Sequence, residues 1–384
     1  MGLKQAATRR QFLVSSAAAP LVTPARSGYR IFSRAEMAGL PVKNRLVRSA
    51  TYENACRDGQ LAAAGLEVFR ALAGGGVGLI VTGFTSVSAG GRVNDFGVMA
   101  NDDRQVENLR LIVKTVRAAG RDCKVVAQLA HGGPNARAVE PVAASGRPWR
   151  SAQPAPRALT TDETEEIVSE FARAARRAKE AGFDGVQLHA AHGYLLSTFL
   201  SPYTNQRTDK YGGSPERRAR IIREIVEQTR KLAGGSFPIL IKMNCDDQVE
   251  GGIDLATFPA VAREVEKAGV QALEVSGADP CRTNIGDPAR QSYFLKHAET
   301  LKTKLPVILT GGNRSVERLE TICKSGGADF IGLSRPLLRE PDLPKRWLEG
   351  RGGEGVACIS CSQCIKAILD GDKEVTRCRL KGTA

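Results

Sequence analysis

The sequence has few aromatic residues and no long apolar run, and each absence excludes a class of protein. No stretch of about 18 apolar residues is present, so we expect no helix to span a bilayer. Aromatic residues make up only 5% of the chain and no basic face is interleaved with them, which argues against a nucleic-acid-binding protein. The remaining composition, 42% hydrophobic and 25% charged, is typical of a globular protein rather than a disordered, collagen-like or disulfide-scaffold chain.

Basic residues outnumber acidic residues. The chain has 55 lysines and arginines against 41 aspartates and glutamates, which gives a formal net charge of +14. These cations are scattered along the sequence, so we interpret them as a solvated basic surface that favours anionic ligands. The length of 384 residues exceeds a modal domain, but single α/β barrels of 200 to over 400 residues are common.

The first 25 residues resemble a twin-arginine export signal. Arg9 and Arg10 precede Phe12-Leu13, a short and weakly apolar run follows, and small residues end at Ala25. We therefore predict a signal peptide over residues 1–25 and a periplasmic or otherwise exported protein. The alternative is a disordered basic tail, in which case the protein stays in the cytoplasm.

Short β-branched runs alternate with amphipathic helical stretches along the rest of the chain. Most of the runs are continuously apolar, as in parallel strands that are covered on both faces. An open doubly wound sheet would need a glycine-rich dinucleotide turn after the first strand, where this sequence reads Arg48-Ser49-Ala50-Thr51. We therefore predict an α/β fold, a TIM (β/α)8 barrel, with strands at 45–50, 78–84, 124–130, 185–189, 238–243, 271–276, 306–310 and 329–333.

The predicted domain organisation places the barrel at residues 29–350 and a cysteine-rich C-terminal tail at 351–384. In a TIM barrel, the carboxyl ends of the strands carry the ligand site. The longest connection on that side is 131–162, after the third strand, and it contains several prolines. Because it is too long for a plain connection, we predict that it caps the barrel mouth.

The ends of the seventh and eighth strands have the features of an anion site. Gly311 and Gly312 follow the seventh strand, and Ser334 and Arg335 follow the eighth. Glycines let the backbone approach an oxyanion closely, and an arginine adds a fixed charge. Since barrel enzymes commonly hold phosphate in these two loops, the sequence predicts a phosphate site there.

Two of the four histidines and a tyrosine lie at the end of the fourth strand: His189 is its last residue, and His192 and Tyr194 follow it. A metal site would need further ligands that are not evident nearby, and histidines satisfied within the core are the plainer alternative. We favour recognition of a carbonyl oxygen by the two imidazoles, with Tyr194 as proton donor, because an ordinary phenol has a pKa of about 10. Gln128 and Lys242, at the ends of the third and fifth strands, add an amide and a cation.

These residues resemble the Old Yellow Enzyme family of FMN-dependent ene-reductases (NADH:flavin oxidoreductases). The resemblance is carried by residues 42–51, 74–80, 128–133 and above all 189–214, which read HAAHGYLLSTFLSPYTNQRTDKYGGS. It implies an FMN-dependent oxidoreductase with the cofactor at the C-terminal face of the barrel. The implied contacts are Ser49, Ala50 and Thr51 against the ring, Gly83 and Gln128 at its edge, Lys242 beside its N1–C2=O side, and Gly312, Ser334 and Arg335 at the phosphate.

The same resemblance implies the reaction. His189 and His192 would bind the carbonyl oxygen of an α,β-unsaturated substrate, hydride would pass from flavin N5 to the β-carbon, and Tyr194 would protonate the α-carbon. The protein then contributes orientation and electrostatic stabilisation, while the redox chemistry belongs to the flavin. NAD(P)H is the implied reductant.

Four of the nine cysteines lie in the last 27 residues: Cys358, Cys361, Cys364 and Cys378. The first three have the spacing of ferredoxin-type 4Fe-4S ligands, and the fourth is available to complete the set. Structural zinc and disulfides formed after export are the alternatives. The motif also resembles the branch that contains 2,4-dienoyl-CoA reductase and trimethylamine dehydrogenase, although its spacings of two, two and thirteen residues differ from the usual pattern of that branch.

Export and nicotinamide chemistry conflict, because NAD(P)H is largely confined to the cytoplasm. We therefore hypothesise that a quinol or cytochrome partner delivers electrons to FMN through an iron–sulfur cluster in the tail. A second candidate function is an exported FMN/iron–sulfur dehydrogenase similar to trimethylamine dehydrogenase. A third is a non-catalytic flavin- or metal-binding periplasmic protein, which the intact candidate site residues disfavour.

Overall fold

The computed structural model describes residues 26–150, 153–279, 285, 287–351, 353 and 355–380. The predicted export signal at residues 1–25 lies outside these residues and stays a prediction. Within them, no helix combines the length and the apolar character that crossing a membrane requires.

Eight parallel strands form a closed barrel, because each strand pairs with the next and the eighth pairs with the first. The predicted TIM barrel is therefore confirmed. Its strands are rich in valine, isoleucine and leucine and are buried almost throughout, as expected of parallel strands covered by helices. The strands are β1 (Leu46–Arg48), β2 (Leu79–Val81), β3 (Lys124–Ala130), β4 (Gly185–Ala190), β5 (Ile239–Asn244), β6 (Ala272–Ser276), β7 (Val307–Leu309) and β8 (Phe330–Leu333).

The helices pack around this barrel with their apolar faces inward. The longest helix, Thr161–Ala181, begins at a capping box in which Thr160 and Glu163 each bind the other's backbone N–H. It ends at Gly182, whose φ of 96° is the left-handed conformation that glycine favours. The helices are α1 (Ala63–Gly74), α2 (Val106–Ala119), α3 (Thr161–Ala181), α4 (Leu195–Leu200), α5 (Pro215–Arg218), α6 (Arg220–Ala233), α7 (Phe258–Lys267), α8 (Leu295–Glu299), α9 (Val316–Ser325), α10 (Arg335–Arg339), α11 (Leu343–Leu348) and α12 (Gln363–Leu369).

Short elements complete the chain between these helices and barrel strands. Two antiparallel hairpins lie near the amino terminus, and two further strand pairs lie at the carboxyl side of the barrel. Single turns of 3-10 helix occur at Arg30–Phe32, Asp103–Gln105, Gly133–Asn135 and Pro288–Arg290. The paired short strands are Ala35–Met37 with Leu40–Val42, Cys56–Arg57 with Gln60–Leu61, Thr85–Ser86 with Val98–Met99, and Val142–Ala143 with Arg157–Ala158.

The second barrel strand is shorter than the sequence predicts. The apolar run at 78–84 continues to Phe84, but β2 ends at Val81. Just beyond it, the backbone N–H of Gly83 donates to both carboxylate oxygens of Glu53, at 3.0 and 2.8 Å, instead of to a neighbouring strand. Pairing with β3 resumes only at Thr85–Ser86.

The long connection after β3 packs beside α4 and the segment that follows it. Ala144 N donates to Thr198 Oγ1 at 3.2 Å, and Ser145 Oγ donates to the carbonyl oxygen of Thr204 at 2.6 Å. A Cβ atom on Gly193 would lie 2.9 Å from the Trp149 ring, so the connection also presses against the histidine–tyrosine loop. That the connection caps the barrel mouth stays a prediction.

The C-terminal tail folds back across the barrel mouth. Asn54 Nδ2, in the loop after β1, donates to the carbonyl oxygens of Asp372 and Glu374, both at 2.9 Å. The backbone N–H of Thr376 donates to the carbonyl oxygen of Glu53 at 2.8 Å. These contacts hold α12 beside the carboxyl ends of the strands.

Candidate active site

Two adjoining cavities open at the carboxyl ends of the strands. The first, which we call the β7–β8 cavity, encloses about 590 Å³ beside the loops that follow β7 and β8. The second, which we call the β4 cavity, encloses about 1110 Å³ beside the loop that follows β4. They form one continuous site, because they share Ala50, His192, Lys242, Ser334 and Arg335.

The β7–β8 cavity has the properties of an anion site. Lys242, Arg314 and Arg335 line it, and none of its described lining residues is acidic. The backbone turns into it at Gly311 and Gly312, whose φ angles of 102° and 72° favour glycine. A Cβ atom at either glycine would lie 2.7 Å from the Tyr293 ring, so a larger residue would displace that ring. Burial lowers the pKa of Arg314, and the neighbouring Arg335 cation lowers it further.

The β4 cavity brings together the three residues that the sequence singles out after the fourth strand. The ring centroids of His189 and His192 lie 4.9 Å apart, and those of His189 and Tyr194 lie 4.8 Å apart. His192 has a φ of 65° and Gly193 a φ of 77°, so two consecutive left-handed residues turn the loop back over the mouth. The backbone N–H of His192 donates to Asn244 Oδ1 at 3.0 Å and holds this turn in place.

Both imidazoles are neutral at physiological pH. Burial lowers the pKa of His189 well below its ordinary value, and the nearby Lys242 ammonium lowers it further. Burial also lowers the pKa of His192, helped by His189 and Lys242. A neutral imidazole carries one N–H donor, which suits a carbonyl oxygen. His189 Nδ1 is buried and makes no hydrogen bond with the described residues, while the residue itself lines the β4 cavity.

Below the cavities, the barrel mouth is closed by a buried polar network. Lys242 Nζ lies 3.1 Å from Glu274 Oε1 and donates to Ser49 Oγ at 3.0 Å. Gln187 Nε2 donates to Glu274 Oε2 at 2.8 Å, and Gln187 accepts a hydrogen bond from Gln128 Nε2 at 2.8 Å. The network thus connects residues from β3, β4, β5 and β6 with the chain that follows β1.

Most of the residues predicted from the sequence line these two cavities. Two exceptions are Ser49, which lies in the polar network, and Gly83, whose N–H is bound to Glu53. The predicted residues that line the cavities are Ala50, Thr51, Gln128, His189, His192, Tyr194, Lys242, Gly311, Gly312, Ser334 and Arg335.

Sequence reasoning missed several residues of the β4 cavity. Phe84 stacks edge-on against Tyr194, with ring centroids 5.1 Å apart, and Tyr52 lies next to Phe84. The tail supplies Ile365, Ile368 and Leu369 from α12. Tyr52 and Phe84 each lie within a residue of a predicted flavin contact, which is a signal that could have found them. The tail residues carry no such signal, because only the folded chain brings them to the mouth.

The four cysteines of the tail line a single cavity of about 330 Å³. All four are free thiols, and Cys361 is exposed while the other three are half-buried. Arg339 Nη1 lies 3.7 Å from Cys378 Sγ. In the described part of the chain, no three His, Cys, Asp or Glu side chains are arranged to hold a metal ion. The tail therefore brings four thiols close together. That they bind a metal stays a prediction.

The five cysteines outside the tail are scattered along the chain. Cys56, Cys123, Cys245 and Cys323 are buried, as is usual for cysteines that pack as small apolar residues. Burial raises the pKa of Cys123 to about 12, so this thiol stays protonated. Cys281 lies outside the described residues.

The structure thus joins a cationic cavity to a cavity lined by two histidines and a tyrosine, at the end of a closed parallel barrel where such folds bind their ligands. Over residues 31–354, the sequence matches the NADH:flavin oxidoreductase / NADH oxidase family. The chain belongs to this family, whose members include the Old Yellow Enzymes.

Similar proteins agree with this assignment. An NADH oxidase from Thermoanaerobacter brockii is 36% identical over 344 residues, which cover 86% of this chain and 52% of the relative. The chain therefore spans about half the length of that relative. The structure of 2-naphthoyl-CoA reductase in complex with 2-naphthoyl-CoA has a TM-score of 0.83 at 26% identity, covering 91% of this chain and 56% of the other. The Old Yellow Enzyme homologue from Zymomonas mobilis has a TM-score of 0.72 at 26% identity, and the match covers 85% of this chain and 94% of the homologue.

Proposed function

We propose that this protein reduces activated C=C bonds of α,β-unsaturated carbonyl compounds, with FMN as its cofactor and Tyr194 as the proton donor. The observation that carries the proposal is the pair of neutral imidazoles, His189 and His192, beside a phenol in one cavity. Two N–H donors on one side of a cavity match the lone pairs of a carbonyl oxygen.

The residues of the two cavities fit FMN. In the β7–β8 cavity, Gly311, Gly312, Ser334 and Arg335 would hold the phosphate, because their surroundings are cationic and free of carboxylates among the described lining residues. Ala50, Thr51, Gln128 and Lys242 line the β4 cavity and would contact the ring. Ser49, whose hydroxyl is bound to Lys242 and Glu274, would support the ring from below, and Gly83 would lie at its edge.

The chain's own residues supply binding, polarisation and a proton. Hydrogen bonds from His189 and His192 to the substrate carbonyl draw electron density from the conjugated double bond, which makes the β-carbon electrophilic. FMN, when bound, supplies the hydride that the β-carbon accepts. Tyr194 Oη then gives its proton to the α-carbon, so the substrate gains two electrons and two hydrogens overall. NAD(P)H is the proposed source of those electrons if the protein stays in the cytoplasm.

The side chains in the wall of the β4 cavity are suited to binding a planar, apolar substrate. Tyr52, Phe84, Val93, Ile368 and Leu369 face the same space as the imidazoles. Aromatic and aliphatic side chains bind the flat face of a conjugated system through burial of apolar surface. The similar 2-naphthoyl-CoA reductase is a reductase of an aromatic acyl thioester by its name, which is consistent with such a substrate.

A second candidate function is an exported FMN/iron–sulfur dehydrogenase similar to trimethylamine dehydrogenase, which exchanges electrons with a quinol or cytochrome partner. One observation favours it: Arg335 lines both the β7–β8 cavity and the cavity of the four cysteines. A 4Fe-4S cluster held by Cys358, Cys361, Cys364 and Cys378 would therefore lie next to the flavin. The twin-arginine-type sequence at residues 1–25 supports periplasmic export for this candidate.

One preparation tests both candidates. The protein is purified anaerobically, and its absorption spectrum, released FMN, iron and labile sulfide are measured. The first candidate predicts a yellow protein whose colour is bleached by dithionite and restored by cyclohexenone. Colourless protein that releases no FMN on boiling contradicts it.

For the second candidate, Cys361→Ala should lose iron and sulfide. The control Cys323→Ala, which removes a buried thiol elsewhere, should retain them. Iron-free wild-type protein contradicts the cluster.

A further inference from the structure

Glu274 is a fully buried carboxylate on β6, with an exposed fraction of 0%. Burying a carboxylate is unfavourable unless it is paired and hydrogen-bonded. Both of its oxygens are satisfied. Oε1 accepts from Thr310 Oγ1 at 2.7 Å and from Ser49 Oγ, and it lies 3.1 Å from Lys242 Nζ. Oε2 accepts from Gln187 Nε2 at 2.8 Å.

The residues around Glu274 hold it in its charged form. Burial raises the pKa of this carboxyl group, but Lys242 and the hydrogen bonds from Ser49, Thr310 and Gln187 outweigh burial. The pKa of Glu274 is therefore below its ordinary value. A permanent negative charge thus lies under the site, although none of the described residues that line the two cavities is acidic.

Three predicted flavin contacts depend on this one carboxylate. Lys242 and Ser49 contact it directly, and Gln128 reaches it through Gln187. An ammonium group has three N–H donors. Lys242 directs one toward Glu274 and one toward Ser49, and because it lines both cavities, its third donor is left for whatever occupies them.

We propose that Glu274 is a positioning residue for the flavin: it holds the Lys242 ammonium at the wall of the site and balances its charge. The inference rests on the proposed placement of FMN beside Lys242. When Glu274 is charged, the Lys242–Glu274 pair has no net charge. Lys242 then gives the ring an N–H donor of fixed direction, and its positive charge is compensated by the carboxylate. Since two-electron reduction adds negative charge to the isoalloxazine, the balance of this pair determines how strongly reduced FMN is bound relative to oxidised FMN.

The test is the midpoint potential of the bound FMN, measured spectroelectrochemically in the holoenzyme. Glu274→Gln keeps the shape of the side chain but removes its charge. The affinity for reduced FMN relative to oxidised FMN should rise at least tenfold, which is about 30 mV more positive for a two-electron couple. The matched control is Glu320→Gln, because Glu320 is also a buried carboxylate paired with a lysine, Lys324, but lies on α9. The control should leave the potential unchanged.

Two further variants show whether Glu274 acts through Lys242. In Lys242→Met, the carboxylate has lost its partner and burial favours its neutral form, so a following Glu274→Gln change should alter no charge. Lys242→Met and Lys242→Met/Glu274→Gln should therefore have the same potential. If Glu274→Gln alone does not fold, a difference within this pair still overturns the inference.

The outcomes separate this inference from the proposed function. A potential in Glu274→Gln that is unchanged or more negative overturns the inference. So does a difference between the two variants that carry Met at position 242, because Glu274 would then act on the flavin without Lys242. Wild-type protein that binds no FMN overturns the proposed function itself, whatever the variants do.

Discussion

The imidazole Nε2 of His192 lies 2.8 Å from the hydroxyl oxygen of Ser276. Ser276 is two residues beyond Glu274 on β6, so both side chains point to the same side of the strand. One strand therefore contacts both His192, through Ser276, and Lys242, through Glu274. Under the proposed function, this single strand would set the placement of the substrate relative to the cofactor.

Ser276→Ala should weaken substrate binding. Without the hydroxyl, the His192 ring loses the partner that fixes its orientation, and a hydrogen bond of this kind contributes about 0.5–1.5 kcal/mol. We expect KM for cyclohexenone to rise about two- to tenfold with a smaller change in kcat. Steady-state kinetics measure this, with the exposed Ser325→Ala as control. An unchanged KM would show that the contact does not orient the ring for substrate.

Tyr194→Phe should slow proton delivery without affecting the reduction of the flavin. General acid catalysis typically contributes about 10²- to 10⁴-fold, so reoxidation by an enone should slow by a factor in that range. Stopped-flow absorbance of each half-reaction measures the two rates separately. Tyr203→Phe is the control, because Tyr203 stacks on Arg147, with the guanidinium carbon 3.9 Å from the ring centre, and does not line the β4 cavity. Wild-type rates in both half-reactions would exclude Tyr194 as the acid.

Glu53 should make stability depend on pH. Burial raises its pKa to about 7 in the folded protein, against about 4.3 in an unfolded chain. The folded state therefore binds the proton more tightly, so this contribution to stability is present below about pH 4 and is lost as pH rises toward 7. Glu53→Gln mimics the protonated form and should become more stable than wild type by up to about 3 kcal/mol between pH 5 and 8.

Urea unfolding at several pH values measures that difference. The other titrating groups are common to both proteins and cancel in the comparison. The exposed Glu67→Gln serves as the control and should show a constant difference from wild type across the range. A difference between Glu53→Gln and wild type that does not grow with pH contradicts a proton on Glu53.

Ile368→Ala should widen the range of substrates. Ile368 lies on the wall of the β4 cavity, so shortening it makes room for a bulkier ring. We expect kcat/KM for large aromatic enones to rise relative to cyclohexenone, while the potential of FMN stays the same. Lys366→Ala is the matched control, because Lys366 is on the same helix but is exposed and paired with Asp370. Equal effects of both variants would mean that α12 acts only through the stability of the tail.

The fold was predictable because its pattern is local. The run at 124–130 forms β3 with the predicted bounds, and Gly182 ends α3 in the left-handed conformation that glycine favours. β2 is shorter than predicted because Glu53, some thirty residues earlier, binds the Gly83 N–H that would have continued the strand. The periodicity of apolar residues does not reveal a contact between a side chain and a backbone group that is distant in sequence.

The candidate site was predictable where its residues follow strand ends. His189 and Lys242 could be placed in this way because a barrel gathers the ends of its strands. Glu274 was missed, although an acidic residue inside a continuously apolar strand is unfavourable without a partner and was therefore a usable signal. Ile368 could not be found, because its position at the mouth depends on a tail that lies more than three hundred residues from β1.

The pairing of β8 with β1 also has a consequence for how the molecule is made. Leu46 pairs with Ile331, so the ring of strands cannot close until the ribosome has delivered the chain as far as β8. Closing so long a loop is entropically costly and delays folding. Until then, β1 has an unpaired edge that is open to association with other chains, and the nascent protein depends on cellular protection against aggregation longer than a chain that folds from local contacts.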